Sequence, residues 1–322
     1  MGVMESISCI TYNHEKYIAD AIEGFLMQKT NFEYEILIHD DASTDRTPEI
    51  IREYQKKYPD IIKPILQSEN KMSKGVRRVG YRYNVTRAQG KYIAVCEGDD
   101  FWTSEHKLQK QVDFMESHPE CTMCFHAAKI VKEDGKEEIG EIRLFNESKF
   151  WPKDKLFYGS GRTNATASIM YRKEYLENPP DFFFKSPVGD TPLALILSYK
   201  GRVAYIDEYM SNYRVGVPVS WNSRIHDKKD KYIETMKGIL GMLDEFNQYS
   251  NYIYDEDIKR RKLEIEVAIL KKEDIGKLNF LRHPKVKLYI NDYSKAKKMK
   301  FYMQVMFPKL YRDLARKIKK EK

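Results

Sequence analysis

The sequence predicts an α/β fold: a mostly parallel sheet flanked by helices, followed by a helical C-terminal extension. Three observations carry that expectation. Short apolar runs alternate with helix-periodic stretches over short connections, and right-handed crossovers into a parallel sheet are the natural outcome. Two of the predicted strands end in acidic, small-residue turns, at 40–45 and 97–100. In a parallel sheet such ends share one edge, the edge where ligands bind. Beyond about residue 223 glycine becomes scarce and long stretches follow helical spacing. The predicted division is therefore 1–222 and 223–322.

The elements follow in order. Residues 6–10 read as a first strand, and the polar turn Thr11-Tyr12-Asn13-His14 follows, with Asn13 placed to cap a helix. Over 15–28 Ile18, Ala21, Ile22, Phe25 and Leu26 recur at helical spacing. A second strand over 34–39 leads into Asp40-Asp41-Ala42-Ser43-Thr44-Asp45. Thr47 as N-cap and Pro48 at the first helical position then open a helix. A third strand spans 61–66, a polar loop 68–75 and a helix 76–89, which delivers the chain to a fourth strand at 92–96. Further on, a helix over 104–117, strands over 121–131, 140–144 and 162–171, a helix over 193–199 stopped by Gly201, and a last strand over 203–206, followed by Asp207 and then 210–213, complete the first part. The extension reads as helices over 232–246 and 257–278.

Composition narrows the function classes. The 322 residues are 42% hydrophobic and 32% charged, with 23 Tyr and 15 Phe. No signal peptide stands out, and no apolar run approaches the roughly 18 residues a span needs. Cys121-Thr-Met-Cys124 has redox or zinc spacing, but no second pair or His-x-x-His accompanies it, so the four cysteines read as buried thiols. Over 277–322 stand 15 Lys and Arg against three acids, a net of +12, which leaves −4 of the total +8 for the rest. A basic tail on a mildly acidic body points to an anionic surface, and 299–322, mixing Phe, Tyr, Met and Leu with Lys and Arg, fits an interfacial segment that Pro308 breaks in two. The expected location is cytoplasmic, peripheral to the inner face of the plasma membrane, with no nucleic-acid partner.

Chemistry concentrates in Glu97-Gly98-Asp99-Asp100. Three carboxylates within four residues repel one another, and an oxygen-only donor set without His or Cys suits a hard ion, Mg²⁺ or Mn²⁺. Gly98 lets backbone and a bulky ligand approach closely. No G-x-G-x-x-G follows the first strand and no G-x-x-x-x-G-K-[ST] occurs, which argues against a dinucleotide dehydrogenase and a P-loop NTPase.

Five segments, 8–13, 38–45, 90–102, 189–190 and 205–214, resemble in order and spacing an inverting glycosyltransferase of family 2 with the GT-A fold. The resemblance covers about the first two-thirds of the chain. It implies that Thr11, Tyr12 and Asn13 meet the nucleotide of a nucleotide-sugar donor, a UDP-sugar by family habit. It implies that Asp40 or Asp41 accepts the uracil N–H while the other has a structural role. Glu97-Gly98-Asp99 stands where the family has Asp-x-Asp. Asp99 is then the ligand of a divalent ion on the diphosphate, Glu97 reaches the ribose or the metal through water, and Asp100 holds a water behind the ion. Asp190 matches the catalytic base, although an acid after Gly189 and two residues before Pro192 is equally an N-cap pattern. Many relatives carry a His after the Tyr-Arg pair. Here Tyr213-Arg214 is followed by Val215, so Arg214 or Arg224 would hold a phosphate, or His226 would reach back. The implied acceptor is a saccharide or lipid-linked saccharide used in cell-surface glycan. Two other readings stand beside this one. A sugar nucleotidyltransferase shares the sheet and the Mg²⁺ but needs a Gly-rich basic loop after the first strand. A non-catalytic saccharide- or polyanion-binding protein has little use for acids at two strand ends.

Overall fold

The structure, a computed structural model, describes residues 2–152, 164–218 and 228–312. The chain divides into two compact units, Met1–Asp227 and Lys228–Lys322.

In the first unit β1 (Glu5–Thr11), β2 (Tyr34–Asp40), β3 (Ile62–Leu66) and β4 (Tyr92–Glu97) pair in parallel. With β5 (Phe101–Trp102), β6 (Cys121–Val131), β9 (Met170–Arg172) and β10 (Arg202–Arg214) they form one sheet, ordered β3-β2-β1-β4-β9-β6-β10-β5. Two short strands, β7 (Glu138–Ile142) and β8 (Lys149–Phe150), attach to β6 and β10. The expected α/β architecture holds, with antiparallel additions: β5 and β8 pair antiparallel with β10, and β7 with β6. β9 runs antiparallel to both β4 and β6. Its predicted strand lies partly outside the described residues, and the described part begins with a tight turn in which the Ser168 hydroxyl donates to the Ala165 carbonyl.

Period-2 alternation explains the core. Ile7 and Cys9, Ile36 and Ile38, and Tyr92, Ala94 and Cys96 are buried in one apolar cluster. There they meet Ile18, Ala21, Ile22 and Phe25 of α1 (Ile18–Leu26), Ile51 of α2 (Thr47–Lys57), and Leu108, Val112 and Met115 of α4 (Lys107–Ser117). Each such large side chain contributes about 1.5–3 kcal/mol by leaving water. The four cysteines are buried and free.

Local hydrogen bonding moves several element ends. α1 begins three residues later than its periodicity suggests, because the Tyr17 and Ile18 amides donate to the His14 carbonyl in a preceding turn. Thr47 is not a cap but the first residue of α2. Its amide donates to Asp45 Oδ1 at 2.9 Å, and its hydroxyl accepts from the His14 amide. The helix expected over 76–89 shrinks to α3 (Val79–Tyr83) and one 3₁₀ turn, since Arg78 adopts φ 58° and cannot continue a helix backwards. The last strand, expected over 203–206, runs on through 210–213 as β10, with irregular register between Ile206 and Tyr209. The segment around 180–186 holds the single-turn α5 (Asp181–Lys185), and α6 (Asp190–Lys200) ends at Gly201 as expected.

The second unit is helical: α7 (Lys229–Tyr249), α8 (Asp255–Glu273), α9 (Lys277–Arg282), α10 (Pro284–Tyr289) and α11 (Lys295–Met306). α8 stops at a left-handed Asp274, earlier than its apolar spacing suggests. α11 ends before Phe307-Pro308, the break expected at that proline. Among the described residues no helix is long and apolar enough to cross a membrane.

Gly90 marks where β1 and the turn into β4 touch. A Cβ there would lie 2.6 Å from the Glu5 carbonyl carbon and the Ser6 amide nitrogen, both backbone atoms fixed in the sheet. Gly90→Ala should therefore lower unfolding free energy by about 1–3 kcal/mol, read as a shifted urea midpoint at constant slope.

Candidate active site

Backbone register builds the site. Thr11 pairs with Asp40 and Ile10 with Glu97, so the carboxyl ends of β1, β2 and β4 finish level. The chain stays tied past those ends. The Asp41 amide donates to the Thr11 carbonyl at 3.0 Å, and the Gly98 amide donates to the Ile10 carbonyl at 2.9 Å. A Cβ on Gly98 would stand 2.8 Å from Thr11 Oγ1 and 3.0 Å from Ile18 Cδ1. The room expected there for a ligand is filled by the protein itself: glycine is needed so that the β4 turn can lie on β1 and α1. Thr11 Oγ1 is buried and has no partner among the described residues. Tyr12 is half-buried beside it.

The Asp-rich turns differ in how their charge is met. Asp40 accepts from both the amide and the hydroxyl of Ser43, and burial raises its pKa. Asp41 holds the Lys71 and Met72 amides at 2.8 and 3.0 Å, and its carbonyl takes the Asn70 side chain. Both carboxylates thus carry structural bonds, where only one was expected to. Asn13 does not cap α1. In a left-handed conformation it fastens one turn to the other, its amide donating to Ser43 Oγ and its Oδ1 accepting from Thr44.

In the 97–100 turn Glu97 is half-buried and Asp99 and Asp100 are buried. Burial first, then the neighbouring Asp99 charge, drives the Asp100 pKa well above the usual carboxylate range. Asp100 Oδ1 accepts from the Arg214 amide at 2.8 Å, while Oδ2 is buried with no partner among the described residues. Asp99 Oδ2 lies 3.9 Å from His14 Nε2. The imidazole that reaches the acidic turn therefore comes from the end of β1, a role its sequence position did not signal. Among the described residues no three His, Cys, Asp or Glu side chains are grouped to hold a metal on their own. Mg²⁺ is commonly bound by one or two carboxylates plus substrate phosphates. The donor set here fits an ion that arrives with a diphosphate, not a resident ion caged by protein.

Arg214, expected to offer its guanidinium to a phosphate, turns it into the protein. Nη1 donates to the Asp99 carbonyl at 2.9 Å and Nη2 to Asp20, and the group stacks over Phe101 at 4.4 Å. Arg224 and His226 lie outside the described residues.

Asp190 is half-buried at the start of α6. Gly189, not Asp190, occupies the cap position, and Asp190 Oδ1 accepts from the Thr191 amide at 2.7 Å. The residue that sequence reasoning missed is Arg78. It donates to the carbonyls of Phe183, Ser186 and Val188, in the segment entering α6, and its charge interacts with Asp190. Two residues on, a Cβ on Gly80 would lie 3.1 Å from Ile10 Cγ2. α3 thereby links the end of β1 to the segment that carries Asp190. An arginine near the start of an expected helix gives no local hint of this. Two open clefts flank the unit. One, of about 700 Å³, includes Lys16, Tyr17, Lys132 and Arg214, and the other, of about 420 Å³, includes Asp40, Asp45, Arg52 and Gln67. Neither is lined by Asp99 or Asp190.

This unit, with its acid-bearing strand ends, has the GT-A fold, as two solved structures show. The Staphylococcus aureus protein TarS, solved with UDP-GlcNAc, aligns over 94% of this chain and 81% of its own with TM-score 0.59 at 17% identity. The mannosyltransferase PcManGT of Pyrobaculum calidifontis, solved with GDP-Man and Mn²⁺, aligns over 94% and 84% with TM-score 0.52 at 15% identity. The chain belongs to glycosyl transferase family 2, whose model matches residues 6–178. An uncharacterised protein of Mycobacterium tuberculosis is 37% identical over 234 residues, 71% of this chain, which spans 64% of that relative's length.

His39, beside the acidic turn, gives the site a pH signature. Its ring stacks on Tyr83 at 4.6 Å, and burial pushes its pKa down to about 4 from an ordinary 6.5. The unfolded chain therefore binds the extra proton first. The stabilisation is complete above pH 6.5 and is lost as pH falls toward 4, by at most about 1.4 kcal/mol per pH unit. The stability gap between wild type and His39→Gln should narrow from pH 7 to pH 5 in urea titrations.

Proposed function

We propose that this chain is a metal-dependent, inverting glycosyltransferase that moves a sugar from a nucleotide-sugar, a UDP-sugar in the first instance, to a saccharide or lipid-linked saccharide acceptor of cell-surface glycan. One observation carries the reading: Thr11, Asp40 and Glu97 end three adjacent parallel strands at one level, with Asp99 buried immediately beyond. Family membership and the nucleotide-sugar complexes of the two structural neighbours support it. The proposal places the enzyme in the cytoplasm, peripheral to the inner face of the plasma membrane.

Inversion needs one base to take the acceptor proton as its hydroxyl attacks the anomeric carbon, and no enzyme nucleophile. Asp190 is assigned that role. The C–O bond to the nucleoside diphosphate breaks as the new glycosidic bond forms, and the electron pair leaves on the diphosphate. A divalent ion, Mn²⁺ or Mg²⁺, would neutralise charge on that leaving group. Asp99 would hold the ion, with Glu97 beside it. Asp100, whose proton affinity burial raises, would add less negative charge than its neighbours. Thr11, Tyr12 and Asn13 would line the nucleotide, and Arg78 would fix the segment that aims Asp190.

Two variants test the assignment in a screen of nucleotide sugars. In Asp99→Asn, thermal stabilisation by UDP with Mn²⁺ should disappear. In Asp190→Asn, that stabilisation should persist while transfer falls about 10²–10⁴-fold, the usual contribution of a general base. Stabilisation by nucleoside triphosphates alone, indifferent to Asp99, would instead favour nucleotidyl transfer.

A further inference from the structure

The C-terminal unit leaves large apolar side chains in water that its own core does not use. That core closes over Phe280 of α9 and Val286 of α10, with Phe301 and Val305 of α11 packed against them. Leu278, Leu288 and Met299 each sit two positions from one of these inward residues, about 200° round a helix of 3.6 residues per turn. They are correspondingly exposed, Leu288 at 63% and Met299 at 65%, and Tyr302, Phe307 and Leu310 are exposed with them. Charge follows the same segment. Over 277–312 ten Lys and Arg stand against a single acid, Asp292. An anionic lipid leaflet satisfies both features of such a segment. Lysines gain from anionic headgroups while Leu, Met and Phe enter the acyl boundary. A second copy docking through the same face would set ten cations against ten.

We infer that α9, α10 and α11 form the surface by which this protein docks on an anionic lipid leaflet. The inference rests on the membrane placement proposed above and narrows it. The docking face is shared by three short helices and is not confined to 299–322. It lies flat on the lipid and crosses nothing.

The test is flotation of the full chain with phosphatidylcholine vesicles, with or without about a third phosphatidylglycerol. Wild type should float with the anionic vesicles only and be released by high salt, which shortens electrostatic reach to about 3 Å at 1 M. A charge variant, Lys295→Glu with Lys297→Glu and Lys300→Glu, should lose binding by about a hundredfold or more, at about fivefold for each lysine removed from the surface. An apolar variant, Leu288→Ser with Met299→Ser and Phe307→Ser, should lose a similar factor. Unchanged melting temperature and unchanged UDP–Mn²⁺ stabilisation in both variants would assign the loss to the surface and not to misfolding. Wild type that fails to float, or floats equally with neutral vesicles, overturns the inference. So do variants that float like wild type, or an apolar variant that converts a dimer to a monomer. Transfer to a soluble saccharide, measured alongside, separates this failure from failure of the sugar-transfer reading.

Discussion

The buried Arg214 clasp holds the acidic turn in place. Its amide bonds Asp100, one guanidinium nitrogen bonds the Asp99 carbonyl, another reaches Asp20, and Phe101 lies under the plane. One side chain at the end of β10 thus ties the turn after β4 to α1. A buried guanidinium is costly unless its donors are met and a countercharge is close. Here the Asp20 carboxylate of α1 supplies that charge while the Asp99 carbonyl takes a second donor, so the clasp fastens the acidic turn to α1. The fit is tight: a Cβ on Gly135, which has φ 73°, would come within 2.9 Å of Arg214 Nη2.

The crowding sorts the acids by role. Equal side chains in one turn receive unequal environments: Asp100 is buried and pushed toward its neutral form, while Glu97 remains half-buried. Like charges in low dielectric raise one another's proton affinity. A turn in which one acid holds its proton more tightly presents less negative charge to an anionic diphosphate than its sequence suggests. The proposed chemistry uses that difference, since an ion shared between protein and diphosphate needs few protein ligands.

The donor and acceptor sides of the proposed site are built by different means. The donor side is sheet register and turn-to-turn bonding, in which Asn13, Ser43, Asp40 and Asp41 lock the ends of β1 and β2 together. The Asp190 side depends on a loop cation, Arg78, gripping three carbonyls of the segment that enters α6. The first arrangement is rigid by construction. The second hangs on one residue held in a left-handed conformation that costs energy for any side chain with a Cβ.

Periodicity and composition by themselves determined the strand–helix alternation, the approximate span of most elements, the helical character of the last third and the basic segment, because each is a local pattern repeated over several residues. The motif segments also marked the acidic turns, where level strand ends turn one-dimensional spacing into adjacency. Only tertiary structure decided what those side chains touch. The packing of Thr11 and Ile18 explains Gly98, the loop amides at 71 and 72 occupy Asp41, and Arg214 faces inward because Asp99, Asp100 and Asp20 surround it. The antiparallel insertion of β9 joins it to residues of β4 that lie 76 to 80 positions away, and the link from Arg78 to the Asp190 segment joins residues 105 positions apart. Such partners are chosen by three-dimensional closeness and burial, which no local spacing encodes.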